Sequence, residues 1–151
     1  MKQCVKCNGA LSATEVREEV RVAGATFAGL VRARRCDGCG EVYIAAEDAM
    51  RFDLRVAREL GIRGAATGEA FKFMRKALAM RAADLAGLLG VAAETVSRWE
   101  RGERSVDRAA LTVVGALVVD KLEGRATTMK LLKAQQAPQA VEGLQLAVGQ
   151  K

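Results

Sequence analysis

The chain has 151 residues, half of them hydrophobic, and a formal net charge of +6. That length suits one or two small domains with a real core, while no apolar run approaches the roughly 20 residues of a membrane-spanning helix and no secretory-type segment opens the chain. A cytoplasmic protein is therefore expected, with a basic balance that favours a polyanionic partner and too few aromatics, one Trp and one Tyr, for a platform that stacks single-stranded nucleic acid.

Four cysteines form two pairs, Cys4 and Cys7 in CVKCNG and Cys36 and Cys39 in CDGCGE. In a reducing cytosol they read as metal ligands or redox groups more readily than as disulfides. Each pair encloses two residues and precedes ones that tolerate left-handed backbone, Asn8 with Gly9 and Gly40. Such a turn points amides at thiolate sulfur. Two such knuckles supply four sulfurs for one structural Zn2+ per chain. With no histidine and no fifth candidate ligand nearby, the site offers no open position for catalytic water. A redox-active dithiol is the competing reading.

The 28 residues between the pairs must return the chain to the metal. TEVREEVRV (14–22) and TFAGLVRARR (26–35) carry alternating apolar and charged stretches around the glycine-containing VAGA, which predicts a β-hairpin. A two-stranded hairpin this thin in apolar side chains is marginal alone, so the metal is expected to be required for folding.

A short strand, EVYI, leads to a predicted helix from Glu47 to Leu60, with acidic Glu47 and Asp48 at its positive end and Gly61 at its C-terminus. Met50, Leu54, Val56, Ala57 and Leu60 form its apolar side, which is expected to pack on the hairpin and the metal site. Its arginines read as a solvated face. GIRGAATGE (61–69), with three glycines in nine residues, reads as a linker.

A helix is predicted over 70–80, with Phe71, Met74, Leu78 and Phe73 as core and Arg75 paired with Glu100. Two short helices follow over 81–102. In the first, Leu85, Leu88 and Leu89 share a face beside small Ala86. Gly90 then supplies the positive φ of a helix C-cap. In the second, from about Ala93 to Arg101, Val96 and Trp99 face inward while Glu94, Thr95, Arg98 and Arg101 fall on the outer side. Ser105 or Asp107 caps a further helix through ALTVVGALVVDKL, apolar on nearly every side. Its surplus of Val113, Val114, Leu117, Val118 and Leu122 points to burial against a second copy of the chain. Gly124 ends it, Thr127 to Ala134 predict a short last helix, and the remainder reads as a flexible tail.

The pair of helices, and the string TVSRWERGERSV above all, resembles the helix-turn-helix of the Xre/Cro repressor family. That resemblance implies that the second helix enters the DNA major groove. Arg98 would grip guanine O6/N7, Glu94 would accept from cytosine N4, and the Thr95 methyl would meet thymine. Ser97, Arg101 and Arg104, with Arg81 as a cation, would meet phosphates. Two positions depart from the family. Arg81 and Ala82 stand where Thr-Gln or Ser-Gln is usual, and Ala92 replaces the Ser or Thr cap, a loss of about 0.5 to 2 kcal/mol.

The order of parts, a two-CxxC zinc domain and then an Xre-type helix-turn-helix, resembles the MqsA-type antitoxins, also described as YgiT-type zinc-finger regulators. The expected fold class is α+β: a zinc-binding hairpin domain with one helix (1–60), a linker (61–69), an all-α helix-turn-helix domain (70–135) and a tail (136–151). The resemblance implies a homodimeric bacterial regulator, not an enzyme, that binds a palindromic operator in duplex DNA, with a zinc domain that can contact a toxin. It carries the zinc ligands to Cys4, Cys7, Cys36 and Cys39 and the recognition arginine to Arg98. The best-known members have Asn where Glu94 stands, so their operator does not carry over. The alternatives are a regulator with no toxin partner and a thiol-based redox sensor.

Overall fold

The structure, a computed structural model, describes residues 2–149. Its order is β1 (Leu11–Val22), β2 (Ala25–Cys36), β3 (Val42–Tyr43), α1 (Ala46–Ile62), α2 (Gly68–Ala77), α3 (Ala82–Leu89), α4 (Ala93–Glu100), α5 (Arg108–Leu122) and α6 (Thr127–Gln136). An antiparallel sheet followed by an all-helical region is the α+β class that the sequence implies.

β1 and β2 pair along their whole length, from Leu11 opposite Cys36 to Val22 opposite Ala25. Ala23 and Gly24 close the hairpin with φ of 52° and 76°. Two positive φ values make a primed turn, whose twist matches that of the strands. β3 pairs with Arg34 and Arg35 only, in the order β1-β2-β3.

α1 departs from expectation in what it covers. Its buried residues Leu54, Val56, Ala57 and Leu60 join one core with Met74, Val114, Leu117 and Val118. The helix packs chiefly on α5 and α2, and less on β2. There Phe52 lies over Gly29, and Asp48 accepts from Arg32 Nη2 at 2.6 Å. Met50, read as core, is 40 % exposed. The apolar pattern of the helix identified a face but not its cover: half of the small sheet's residues are exposed, whereas α5 offers a continuous apolar surface.

The crossing of α1 and α5 is close. A Cβ added to Gly61 would sit 3.3 Å from Gly115 Cα. Of the stretch read as a linker, Gly61 and Ile62 belong to α1, and Gly68 and Glu69 to α2. Thr67 caps α2 by accepting from the Ala70 amide at 3.1 Å.

α5 starts at the Asp107 cap, which accepts from the Ala109 amide at 3.3 Å. Val114, Leu117 and Val118 are buried within this one chain, so burial that pointed to a second copy is supplied by α1, α2 and α6. Asp120 faces the start of α6 and accepts from the Thr128 amide at 2.7 Å, doing for that helix what its own N-cap residue Ala126 cannot. α6 runs to Gln136, two residues past its expected end, and Gln136 donates to the Gly87 carbonyl at 2.9 Å. Residues 138–149 are exposed and form neither helix nor strand. The last two positions of the expected tail lie outside the described residues.

Candidate metal centre and nucleic-acid interface

The two cysteine knuckles are near replicas. Cys4 and Cys36 each accept at their carbonyl from the residue four on, Asn8 and Gly40, at 2.9 Å in both. Cys4 N–H reaches the Gly9 carbonyl at 3.0 Å and Cys36 N–H the Glu41 carbonyl at 2.8 Å. The left-handed residues are Asn8, at φ 57°, and Gly40, at φ 76°. Gly9 is needed for a different reason: its Cβ would lie 3.0 Å from Cys36 Sγ and 3.2 Å from Cys7 Sγ.

Pairing by the hairpin lays one knuckle against the other. Cys4 Sγ lies 3.6 Å from Cys39 Sγ, Cys7 Sγ lies 3.4 Å from Cys36 Sγ, and all four sulfurs fall within 4.8 Å of one another. Four sulfurs placed tetrahedrally at about 2.3 Å from zinc are about 3.8 Å apart, so the donor set and its spacing fit that ion. The first cysteine of each knuckle is buried and the second exposed.

The hydrogen bonds around the thiols differ in the same alternation. The Tyr43 hydroxyl, 3.2 Å from Cys4 Sγ, lowers that thiol to about 6, and the same contact raises Tyr43 to about 12. The Cys39 amide lowers Cys36. Cys7 is pushed up to about 12: the Gly9 amide opposes the shift, and its sulfur contacts with Cys36 and Cys39, together with burial, carry it. A divalent cation at this cluster would hold all four sulfurs as thiolates and supply their counter-charge. Tyr43 was missed in the sequence; the signal was its place in the short strand right after the second knuckle.

In the helical region Val96 and Trp99 point inward, with Trp99 edge-on to Phe71 at 5.6 Å between ring centres. Gly90 ends α3 at φ 68° and the Val91 amide donates back to the Ala86 carbonyl at 3.0 Å, which fixes the tight turn. Neither Arg81 nor Ala92 makes a side-chain cap, so both departures from the usual pattern persist in the structure. The expected Arg75–Glu100 pair is present, doubly bonded at 2.5 and 2.9 Å and mostly buried. The third tie of Arg75 goes to the Met80 carbonyl at 2.8 Å. The bonds to Glu100 hold α2 to the C-terminal end of α4.

The exposed side of α4 gathers the residues singled out in the sequence, already engaged with one another. Arg98 Nε donates to Glu94 at 3.1 Å, and Arg101 to Ser97 Oγ at 2.6 Å. Arg101 also binds Glu103, at 2.6 and 3.1 Å, and lies 3.5 Å from Glu94. Thr95 and Ser97 are half-buried; Arg104 is exposed. Arg81 stands apart at the start of α3, forked onto Asp84 at 2.8 and 3.0 Å. Glu103, which sequence reading left out, thus belongs to the same surface.

Residues 71–111, from α2 into α5, match a family model described as Helix-turn-helix (HTH_3). No curated protein matches the chain. Among the described residues, no helix is long and apolar enough to cross a membrane. The chain thus joins a helix-turn-helix, over residues 71–111, to a four-cysteine cluster able to hold a metal ion.

Proposed function

We propose that this protein is a zinc-containing, sequence-specific transcriptional regulator of the bacterial cytoplasm that binds a palindromic operator as a homodimer. The observation that carries the proposal is α4: Val96 and Trp99 anchor it, and Arg98 and Glu94 stand outward with their side chains 56 % and 60 % exposed. A helix so mounted fits the major groove. Arg98 reads guanine there, and the Thr95 methyl meets thymine. Ser97, Arg101, Arg104 and Arg81 hold phosphates and set the register without reading sequence. Zinc on Cys4, Cys7, Cys36 and Cys39 holds the ends of the hairpin together and takes no part in catalysis.

We infer further that the regulator is the antitoxin and autorepressor of a type II toxin–antitoxin pair. What supports this is the order of parts, cysteine-knuckle hairpin before helix-turn-helix. The test has two arms. Selection from a pool of randomised duplexes with the purified protein should enrich a single inverted repeat; a pool that stays random refutes operator binding. Co-expression with the product of the adjacent gene should relieve that product's toxicity and yield a stable complex. Enrichment without relief leaves a regulator that has no toxin.

A further inference from the structure

The outer face of α4 is less basic than its arginines imply. Glu94 Oε1 lies 3.1 Å from Arg98 Nε and 3.5 Å from Arg101 Nη2, while Glu103 holds Arg101 at 2.6 Å. Two carboxylates thus neutralise two guanidinium groups at the point where a polyanion would have to approach. Arg104, one turn beyond, has no ion-pair partner among the described residues. In a helix used only for phosphate attraction, such pairing would weaken binding to every sequence.

The geometry leaves one group of Arg98 engaged and another available. Glu94 takes Nε, so the two terminal nitrogens stay free as the planar fork that guanine O6 and N7 accept. The carboxylate itself, 60 % exposed, accepts hydrogen bonds and donates none. In the major groove its only favourable partners are the amino groups of cytosine and adenine. Against phosphate, or against a base edge lined with acceptors, it is repelled.

We propose that Glu94 is the specificity-determining residue of this helix, acting as an electrostatic filter: it aims Arg98 at guanine and opposes any duplex that offers no amino group beside that guanine. This rests on α4 being the DNA-contacting helix. Discrimination then comes from a repulsive element as much as from an attractive one. Random DNA is held weakly because Arg98 and Arg101 reach phosphate only by leaving Glu94 uncompensated.

The test compares the wild-type full-length protein with Glu94→Gln and Glu94→Asp, on the duplex enriched by the wild type and on a random-sequence duplex, across a salt series. Glu94→Gln keeps the shape and removes the charge. Its affinity for random duplex should rise about five- to tenfold near physiological salt, with a log–log salt slope steeper by about one ion. Affinity for the enriched duplex should change far less, so the specificity ratio falls. Glu94→Asp, which keeps the charge, should keep random binding weak. Trp99 fluorescence serves as the check that α4 stays docked. A wild type that enriches a sequence, combined with Glu94→Gln of unchanged random-DNA affinity and unchanged ratio, overturns the filter alone. A wild type that binds no duplex overturns the DNA-contacting role of α4 and the filter with it.

Discussion

Gly68 is the most tightly constrained glycine in the molecule. A Cβ there would run into the carbonyl oxygen of Trp99 and crowd that of Glu100, at the C-terminal end of α4. Gly68→Ala should therefore destabilise the helical region by about 1 to 3 kcal/mol, the usual cost of overpacking, read as a lower midpoint of the Trp99 fluorescence transition in urea. Gly87 is the internal control. It is exposed in α3, its nearest neighbour lies 4.0 Å from an added Cβ, and Gly87→Ala should stabilise by about 0.5 to 1 kcal/mol, read as a higher midpoint of the same transition. The Arg75–Glu100 pair makes a third case: Arg75→Met strands a buried carboxylate and should cost about 3 kcal/mol or more. The pair was named from the sequence as a structural tie across the helical region, and the structure bears it out. The demand on Gly68 was not, since nothing local reveals that a glycine in a loop-like stretch faces a carbonyl 31 positions on. Likewise Asn8 and Gly9 were rightly singled out, but as interchangeable turn residues; only the fold separates the left-handed one from the one that must clear sulfur.

At the level of elements, the helices and the hairpin were readable from periodicity, and their ends shifted by a few residues where pairing or capping came from afar. β1 starts at Leu11 because Cys36 is opposite it, and α6 starts at Thr127 because Asp120 reaches across from α5. What α1 covers was not readable: an apolar face names no partner. Its docking on α5 and α2 sets an expectation for metal loss. Cys36→Ser should abolish zinc binding and melt the sheet, while α1 stays with the helices. The single Tyr and the single Trp report separately, Tyr43 on the knuckles and Trp99 on α4. Tyr43 emission should change in this variant and Trp99 emission should not; a Trp99 change of the same size would mean that sheet and helices fold as one unit.

Asp120 gives a pH dependence of known sign. The Thr128 amide holds its carboxyl below the usual carboxylate range. Its contribution is thus complete above the unfolded value near 4 and is lost as pH falls through the lower folded value. Below about pH 4 α6 should detach from α5, visible as a loss of helical signal. Asp120→Asn should show no such step, and an identical acid step in that variant would assign it to another group.

For the molecule as a whole, a net charge of +6 says only that a polyanion is favoured. On the proposed function, what selects DNA is the mounting of α4, and the mounting itself was legible: an apolar inner face, Gly90 at the turn and arginines outward. What composition concealed is that the outward arginines are already paired. The sequence pattern records which residues share a face, but not how far each side chain satisfies its neighbour.

The most direct measurement is the affinity of wild type and Arg98→Ala for the duplex enriched from a random pool and for its single-base variants. Arg98→Ala should lose about 1 to 3 kcal/mol on the enriched duplex and relax discrimination at one base pair. An unchanged affinity and an unchanged preference at every position would contradict the role given to α4.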